Sequence, residues 1–345
     1  MMLGQRAMDA DYNATHVADD DPSADTPRSA DLLHAVSVGG ALCIVNVIIV
    51  FGNALVLYAL YKCPQLQTRT NALVASLAVA DFVLGVTVIP FQTGNTMFAY
   101  WPFHPTYCQI HGSFDVFSTT ASILHICLIA MERFVAIITP MKYNMYVTER
   151  TIRVSLVIAW ILSAANGTVI FIPSLWHDPY YDFVYNDPNL CALMLGNPYA
   201  QIDSVFIYFL PMTIVLIAYA CIWWAAWKQT RRILMRSEYV DSNSGGGGGG
   251  GSQHTVTLHQ LAEMKATRTL GIVILAFVGC WLPYFILTPL EASCHCVNDK
   301  LYLIAIWLGY ANSAANPIIY SICNQGFRDG FKQILGCHAG VMNTL

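Results

Sequence analysis

Three acids stand inside apolar, helix-length stretches: Asp81 in Leu77-Ala-Val-Ala-Asp81, Asp115 in the run Cys108–Arg133, and Asp203 eight residues before Pro211. A carboxylate in a segment of membrane length is costly and reads by default as functional. Its chemistry is that of a fixed anion, which needs an ammonium ligand, a metal ion or a basic neighbour. The competing reading is a hydrogen-bonded residue that ties helices together. Eighteen residues separate Asp115 from Arg133. That is five helical turns, so the two charges share a face about 27 Å apart. One can serve a pocket near one membrane surface and the other a partner near the opposite surface. Aromatic faces that attract a cation come from Trp281, Tyr284 and Phe285, and from Trp307 and Tyr310; such a stripe alone equally suits a core. The histidines 104, 111, 125 and 177 lack metal-ligand spacing, and no catalytic constellation appears, so the sequence does not read as an enzyme. The eleven cysteines lie mostly in apolar stretches and have neither zinc spacing nor the density of a disulfide scaffold.

The elements that must hold these groups follow from composition. The 345 residues are 56% hydrophobic and only 11% charged, and the mean hydropathy is +0.50. A soluble domain carries about 25% charged residues, so the chain reads as a polytopic, all-α membrane protein. Apolar runs long enough to cross a bilayer fall near 36–61, 71–97, 108–138, 152–174, 199–227, 267–290 and 301–323. Lys and Arg cluster in alternate connections, which places the N-terminus outside. Residues 1–35 are polar and Asp-rich with no evident cleavable signal peptide, and read as a disordered acidic tail carrying the glycosylation sequon Asn13-Ala-Thr15. Asn166-Gly-Thr168 also fits the sequon but lies within a span and is expected to be silent. Residues 36–323 form the seven-helix domain. Within it, 237–262 reads as a flexible third inner loop containing seven glycines, Gly245 to Gly251, natural or inserted. Residues 324–337 have the spacing of an amphipathic helix on the inner surface, with Cys337 as a lipidation site. A short inner tail, 338–345, follows.

One further set of marks falls one or two to a span: Gly52-Asn53, Leu77-Ala-Val-Ala-Asp81, Cys108 with Glu132-Arg133-Phe134, Trp160, Pro211 with Tyr219, Cys280-Trp281-Leu-Pro283, and Asn316-Pro317-Ile-Ile-Tyr320. Together, in this order, they resemble the rhodopsin-like, seven-helix G protein-coupled receptors over about residues 36–337. The resemblance implies a plasma-membrane receptor with an extracellular N-terminus, partners that are membrane lipids and a heterotrimeric G protein, and no nucleic acid. It implies a disulfide between Cys108 and Cys191; a second, Cys294 to Cys296, is left open because the two are close in sequence. It implies an allosteric sodium pocket at Asp81, Ser122, Asn312 and Asn316, with Asn53 nearby, as the sole cofactor candidate; a plain hydrogen-bonded core is the alternative. It also implies an activation switch. Arg133 would pair with Glu132 and Glu263 at rest, Ile123, Pro211 and Phe277 would link pocket to core, and Tyr219 and Tyr320 would meet near Arg133, with Asn316 and Pro317 on the seventh span. Glu132 and Phe134 depart from the commonest Asp and Tyr of that motif, although the charges survive.

Within that family, Asp115 falls where amine receptors keep the counter-ion of an ammonium ligand. Trp307-Leu-Gly-Tyr310 resembles their pattern on the seventh span. The implied ligand site is Asp115, Asp203, Trp281, Tyr284, Phe285, Trp307 and Tyr310, with a small-molecule amine as ligand. The stretch Cys108–His125 looks most like the trace amine-associated receptors, which suggests coupling that raises cyclic AMP. Asp203 opposite Asp115 would favour a diamine or polyamine. A histamine receptor is the second expectation. A transporter is the rival from another class, but no internal repeat is visible. A retinal-binding pump or opsin is excluded, because no lysine lies between Leu301 and Cys323.

Overall fold

Proline, glycine and capping residues divide the apolar runs into the helices expected of them. The structure, a computed structural model, describes residues 29–98, 100–181, 186–243 and 251–336, with side chains described for 36–98, 100–180, 186–228, 231 and 271–336. The first span is Ser29–Lys62. The second is Arg69–Thr87 continued, after a break at Val88, by Ile89–Phe98. The third is Pro105–Ile138, and the fourth is Glu149–Thr168 with a tightened last turn, Val169–Phe171. The fifth comprises Tyr199–Asp203, a wide π-helical turn Ser204–Phe209, and Leu210–Asn243. The sixth is Gly251–Cys294 and the seventh Asp299–Cys323. Gln325–Ile334 forms the terminal helix. Side-chain oxygens cap several starts: Thr68 accepts from Asn71 N–H, Thr148 from Thr151 N–H, and Asn298 from Lys300 N–H. Among the described residues there is no strand.

The spans pack in a ring, first on second, second on third, sixth on seventh, and seventh back on first. The third span touches the second, fourth, fifth and sixth, so the helix carrying Asp115 and Arg133 runs through the middle. Six described helices are long and apolar enough to cross a membrane by composition alone. The seventh span is as long as a crossing requires, at 25 residues, but Asn312, Ser313 and Asn316 dilute it. Those three residues are buried in the bundle, where a polar face costs least.

Buried polar pairs join the helices. Pro317 cannot donate to the carbonyl four residues earlier; Asn53 Nδ2 takes that carbonyl, Ser313 O, at 3.1 Å. Asn53 therefore binds the first span to the bend in the seventh. Trp160 donates to Ser76, which bonds the fully buried His125 at 2.7 Å, joining the second, third and fourth spans.

Two differences from the sequence expectation concern the Arg133 end of the bundle. The fifth span continues to Asn243 and the sixth begins at Gly251, so helix covers most of the stretch 237–262 read as a flexible loop. Its Leu, Glu, Gln and Ala residues favour helix, and continuation from a packed span needs no new nucleation. The terminal helix ends at Ile334, three residues short of the expected 337. Phe327 and Phe331 are buried on one side of it while Arg328 and Lys332 are exposed on the other. Asn13, Cys337 and the side chain of Glu263 lie outside the described residues.

Candidate ligand-binding site

The third, fifth, sixth and seventh spans enclose a cavity of about 1700 Å³ at the end of the bundle opposite Arg133. Asp115, Asp203, Trp281, Tyr284, Phe285 and Tyr310 all line it. Disulfide Cys108–Cys191 closes one side, with Cα atoms 5.7 Å apart, and draws the connection between the fourth and fifth spans over the opening. Asn95 Nδ2 donates to Cys191 O and holds the same strand of chain against the second span. Cys294 and Cys296, left open on sequence grounds, are joined. Between them His295 adopts positive φ, and its ring stacks on Tyr180 at 4.0 Å.

Asp115 is half-buried, and the Tyr310 hydroxyl donates to its Oδ2 at 2.8 Å. That bond fixes the carboxylate from the seventh span while leaving it acceptor-only toward the cavity. The aromatic wall is interlocked. Trp281 lies 5.9 Å from both Tyr284 and Phe285, and Phe285 stacks on Tyr208 at 4.4 Å. The Trp281 ring also rests on Gly309, where a Cβ would come within 3.0 Å of its ring atoms. Trp307 differs from the other six candidates. It does not line the cavity; its indole donates to Thr96 at 3.2 Å and packs edge-on to Tyr310 at 5.5 Å. It stands behind Tyr310 and braces it against the second span.

Asp203 is partly exposed and faces the cavity. Its Oδ1 accepts from Asn166 Nδ2 at 3.0 Å. The same amide nitrogen donates to Thr120, and the Asn166 Oδ1 accepts from Tyr199. Asn166, which the sequence offered only as a silent sequon, thus fastens the third, fourth and fifth spans beneath Asp203. A lone asparagine in the apolar run 152–174 was the signal available for it. Two carboxylates and an aromatic floor, all partly withdrawn from water, can hold a cationic molecule through charge and ring faces.

Further in, Asp81 is fully buried and accepts three hydrogen bonds, from Ser313 at 2.7 Å, Asn316 at 2.7 Å and Ser122 at 3.3 Å. Ser313 was not among the residues expected there, although it lies one helical turn from Pro317. The amide oxygens of Asn53, Asn312 and Asn316 are buried without hydrogen-bond partners. Three neutral oxygens and a carboxylate suit a hard cation.

At the opposite end of the bundle Arg133 grips Glu132 with two bonds of 2.6 Å, and Arg133 also bonds Thr70. Thr70 and Tyr143 donate to the same Glu132 oxygen at 2.9 and 2.6 Å. Burial first, and the bond to Glu132 next, push the Tyr143 phenol up to about 12, so it remains a donor at neutral pH. Glu132 is 5% exposed, which makes this a shielded four-residue clamp between the second and third spans and the inner loop. Thr70 and Tyr143 were not legible as parts of it. Ile123 and Phe277 are fully buried in the same core cluster, and Pro211 is buried in the fifth span. The Tyr219 and Tyr320 hydroxyls are buried without a partner.

Comparison with known proteins agrees with this geometry. The model of the family "7 transmembrane receptor (rhodopsin family)" matches residues 52–320. The chain is 34% identical to the D(1)-like dopamine receptor of Oreochromis mossambicus over 323 residues, 91% of this chain and 82% of that receptor. It is 31% identical to the human histamine H2 receptor over 313 residues, 90% of this chain and 82% of that protein. It is 32% identical to the octopamine receptor beta-2R of Drosophila melanogaster over 313 residues, 83% of this chain but 58% of that longer protein.

Proposed function

The chain belongs to the rhodopsin family of seven-transmembrane receptors, and on that premise we propose that it is an amine receptor tuned to a diamine or polyamine. It is a multi-pass membrane protein and a receptor, not an enzyme or a transporter. Its relatives carry the names of dopamine, octopamine and histamine receptors, all small amines. The observation that carries the finer reading is the pair of carboxylates, Asp115 from the third span and Asp203 from the fifth, on one cavity. A ligand with a single ammonium leaves one of them without a cation in a shielded cleft. A ligand with two cationic groups satisfies both. Trp281, Tyr284, Phe285 and Tyr310 face the chain of such a ligand, and Trp307 holds Tyr310.

In this reading the receptor is closest to the trace amine-associated type, lies in the plasma membrane with its N-terminus outside, and couples to a G protein that raises cyclic AMP. The Glu132–Arg133 clamp with Thr70 and Tyr143 is the resting state of the switch. Movement of Trp281 on Gly309, passed through Phe277, Ile123 and Pro211, releases it. Tyr219, Tyr320, Asn316 and Pro317 take part in the released state. A sodium ion beside Asp81, Ser122, Asn312 and Asn316 would stabilise the resting one. A histamine receptor is the second reading, favoured by the likeness to the human H2 receptor and by Asp203, which a ring nitrogen can reach. The test is a cyclic AMP dose–response panel of matched monoamines, diamines, polyamines and histamine in cells expressing the receptor. The diamine series should lead. A monoamine in first place, or no cyclic AMP response to any amine, sinks the proposal.

A further inference from the structure

The outer surface of the bundle carries a second cavity, a cleft of about 570 Å³ between the first and seventh spans above the terminal helix. Val47, Phe51 and Leu55 form one wall and Pro317 and Ile318 the other. Phe51 is 69% exposed and Ile318 44%, so this wall faces the bilayer. The two spans meet at its base, where Gly52 lets Pro317 approach: a Cβ there would lie 2.7 Å from the proline ring. That contact makes a groove with a floor rather than a gap into the core. From Val47 to Leu55 the groove runs about 12 Å along the helix, a length suited to part of an acyl chain.

Its inner end differs in character. Arg328 and Lys332, one turn apart on the terminal helix, line the mouth of the cleft. Both are exposed. Arg328 donates one nitrogen to Ile322 O at 3.2 Å, the last free turn of the seventh span, which fixes its guanidinium at the groove and leaves other donors unused. Lys332 makes no ion pair among the described residues. Asp329, between them in sequence, does not line the cleft. Phe327 and Phe331 are buried and anchor the helix from beneath, which turns both cations away from the core, as in a helix lying on a membrane surface.

We propose that this cleft is a binding site for an anionic phospholipid of the adjoining leaflet, with one acyl chain in the groove and the phosphate on Arg328 and Lys332. An apolar trough ending in two fixed cations complements an amphiphile with a negative head; a neutral sterol or a zwitterionic lipid leaves the cations without a net counter-charge. The site is separate from the amine cavity, so its occupancy does not depend on which amine the receptor senses.

The test uses the full-length receptor in detergent, exchanged against phosphatidylserine or phosphatidylcholine of matched chains and read by native mass spectrometry. Phosphatidylserine adducts should survive activation at least several-fold better than phosphatidylcholine adducts. Lys332→Gln, a change at an exposed residue that leaves the fold intact, should cut that preference severalfold, and adding Arg328→Gln should abolish it. Ile318→Trp, which fills the groove but keeps the charge, should lower retention of both lipids. Glycerophosphoserine, the headgroup without chains, should not bind. Equal retention of the two lipids overturns the proposal, as does a preference that survives the double neutralisation. Binding of the headgroup alone assigns the cations to a free phosphate site and overturns it too, and so does conversion of adduct-free dimer to monomer by Ile318→Trp, which assigns the face to a second copy.

Discussion

Replacing Asp203 by Asn tests the two-carboxylate reading of the cavity without disturbing its packing. Asparagine has nearly the same shape, and its amide oxygen can still accept from Asn166 Nδ2, the 3.0 Å bond that seats Asp203. What is lost is the charge. Asp203 is only partly exposed and lines the cavity, so a ligand ammonium paired with it is largely shielded. Truncating one partner of a buried charge pair costs about 2–5 kcal/mol. The open mouth of the cavity argues for the lower part of that range, about 2–3 kcal/mol. At 1.4 kcal/mol per tenfold, diamine potency should fall about 30- to 150-fold. A monoamine of the same chain length should be unaffected or improved, since a stranded anion has been removed. The assay is a pair of cyclic AMP dose–response curves, diamine and monoamine, in wild type and Asp203→Asn at matched surface density. If the wild type prefers the monoamine, or the potency ratio survives the substitution, the second carboxylate has no part in recognition and Asp203 serves only to tie the fifth span to the fourth.

Asp115→Asn should abolish the response to every amine, with a potency loss on the order of a hundredfold or more from an unpaired cation, while surface labelling stays near normal; an unchanged curve removes Asp115 from the site. Asn166→Ala removes the bond that seats Asp203, roughly 1 kcal/mol, along with those to Thr120 and Tyr199, and should shrink the diamine preference about fivefold in the same direction as Asp203→Asn; an unaltered ratio means Asp203 needs no positioning. Glu263→Ala should raise ligand-free signalling if that side chain helps restrain Arg133; because Glu132, Thr70 and Tyr143 already hold the arginine, a flat basal level would place the whole restraint in that clamp, and Tyr143→Phe should then raise it instead. Gly309→Ala inserts a methyl within 3.0 Å of the Trp281 ring and should shift both basal signalling and amine potency; a wild-type profile for this variant would show that the seat of Trp281 does not matter.

The order of the elements was legible in the sequence because each depends on local chemistry. Twenty or so apolar residues make a span regardless of what surrounds it, so all seven runs returned as helices and Phe327 and Phe331 marked the buried face of the terminal one. The residue types at the site were legible for a related reason: an acid in an apolar run is costly enough to require an account, and Asp81, Asp115 and Asp203 each have one. The partners of those acids were decided elsewhere. Asp203 stands just ahead of a wide π-helical turn, Ser204–Phe209, which changes its bearing relative to Pro211 from that of a regular helix; only packing against Asn166 and Tyr199 reveals where it points. Asn53 sits within a family mark, yet its amide bonds the carbonyl that Pro317 releases 260 residues away. Trp307 matched the amine-receptor pattern and nonetheless stands behind the cavity, because its indole finds Thr96 on the second span. Thr70 and Tyr143 close on Glu132 from segments 62 and 11 residues distant. In each case the sequence supplies a polar group that must be satisfied, and the choice among many equivalent partners is made only when the helices come together.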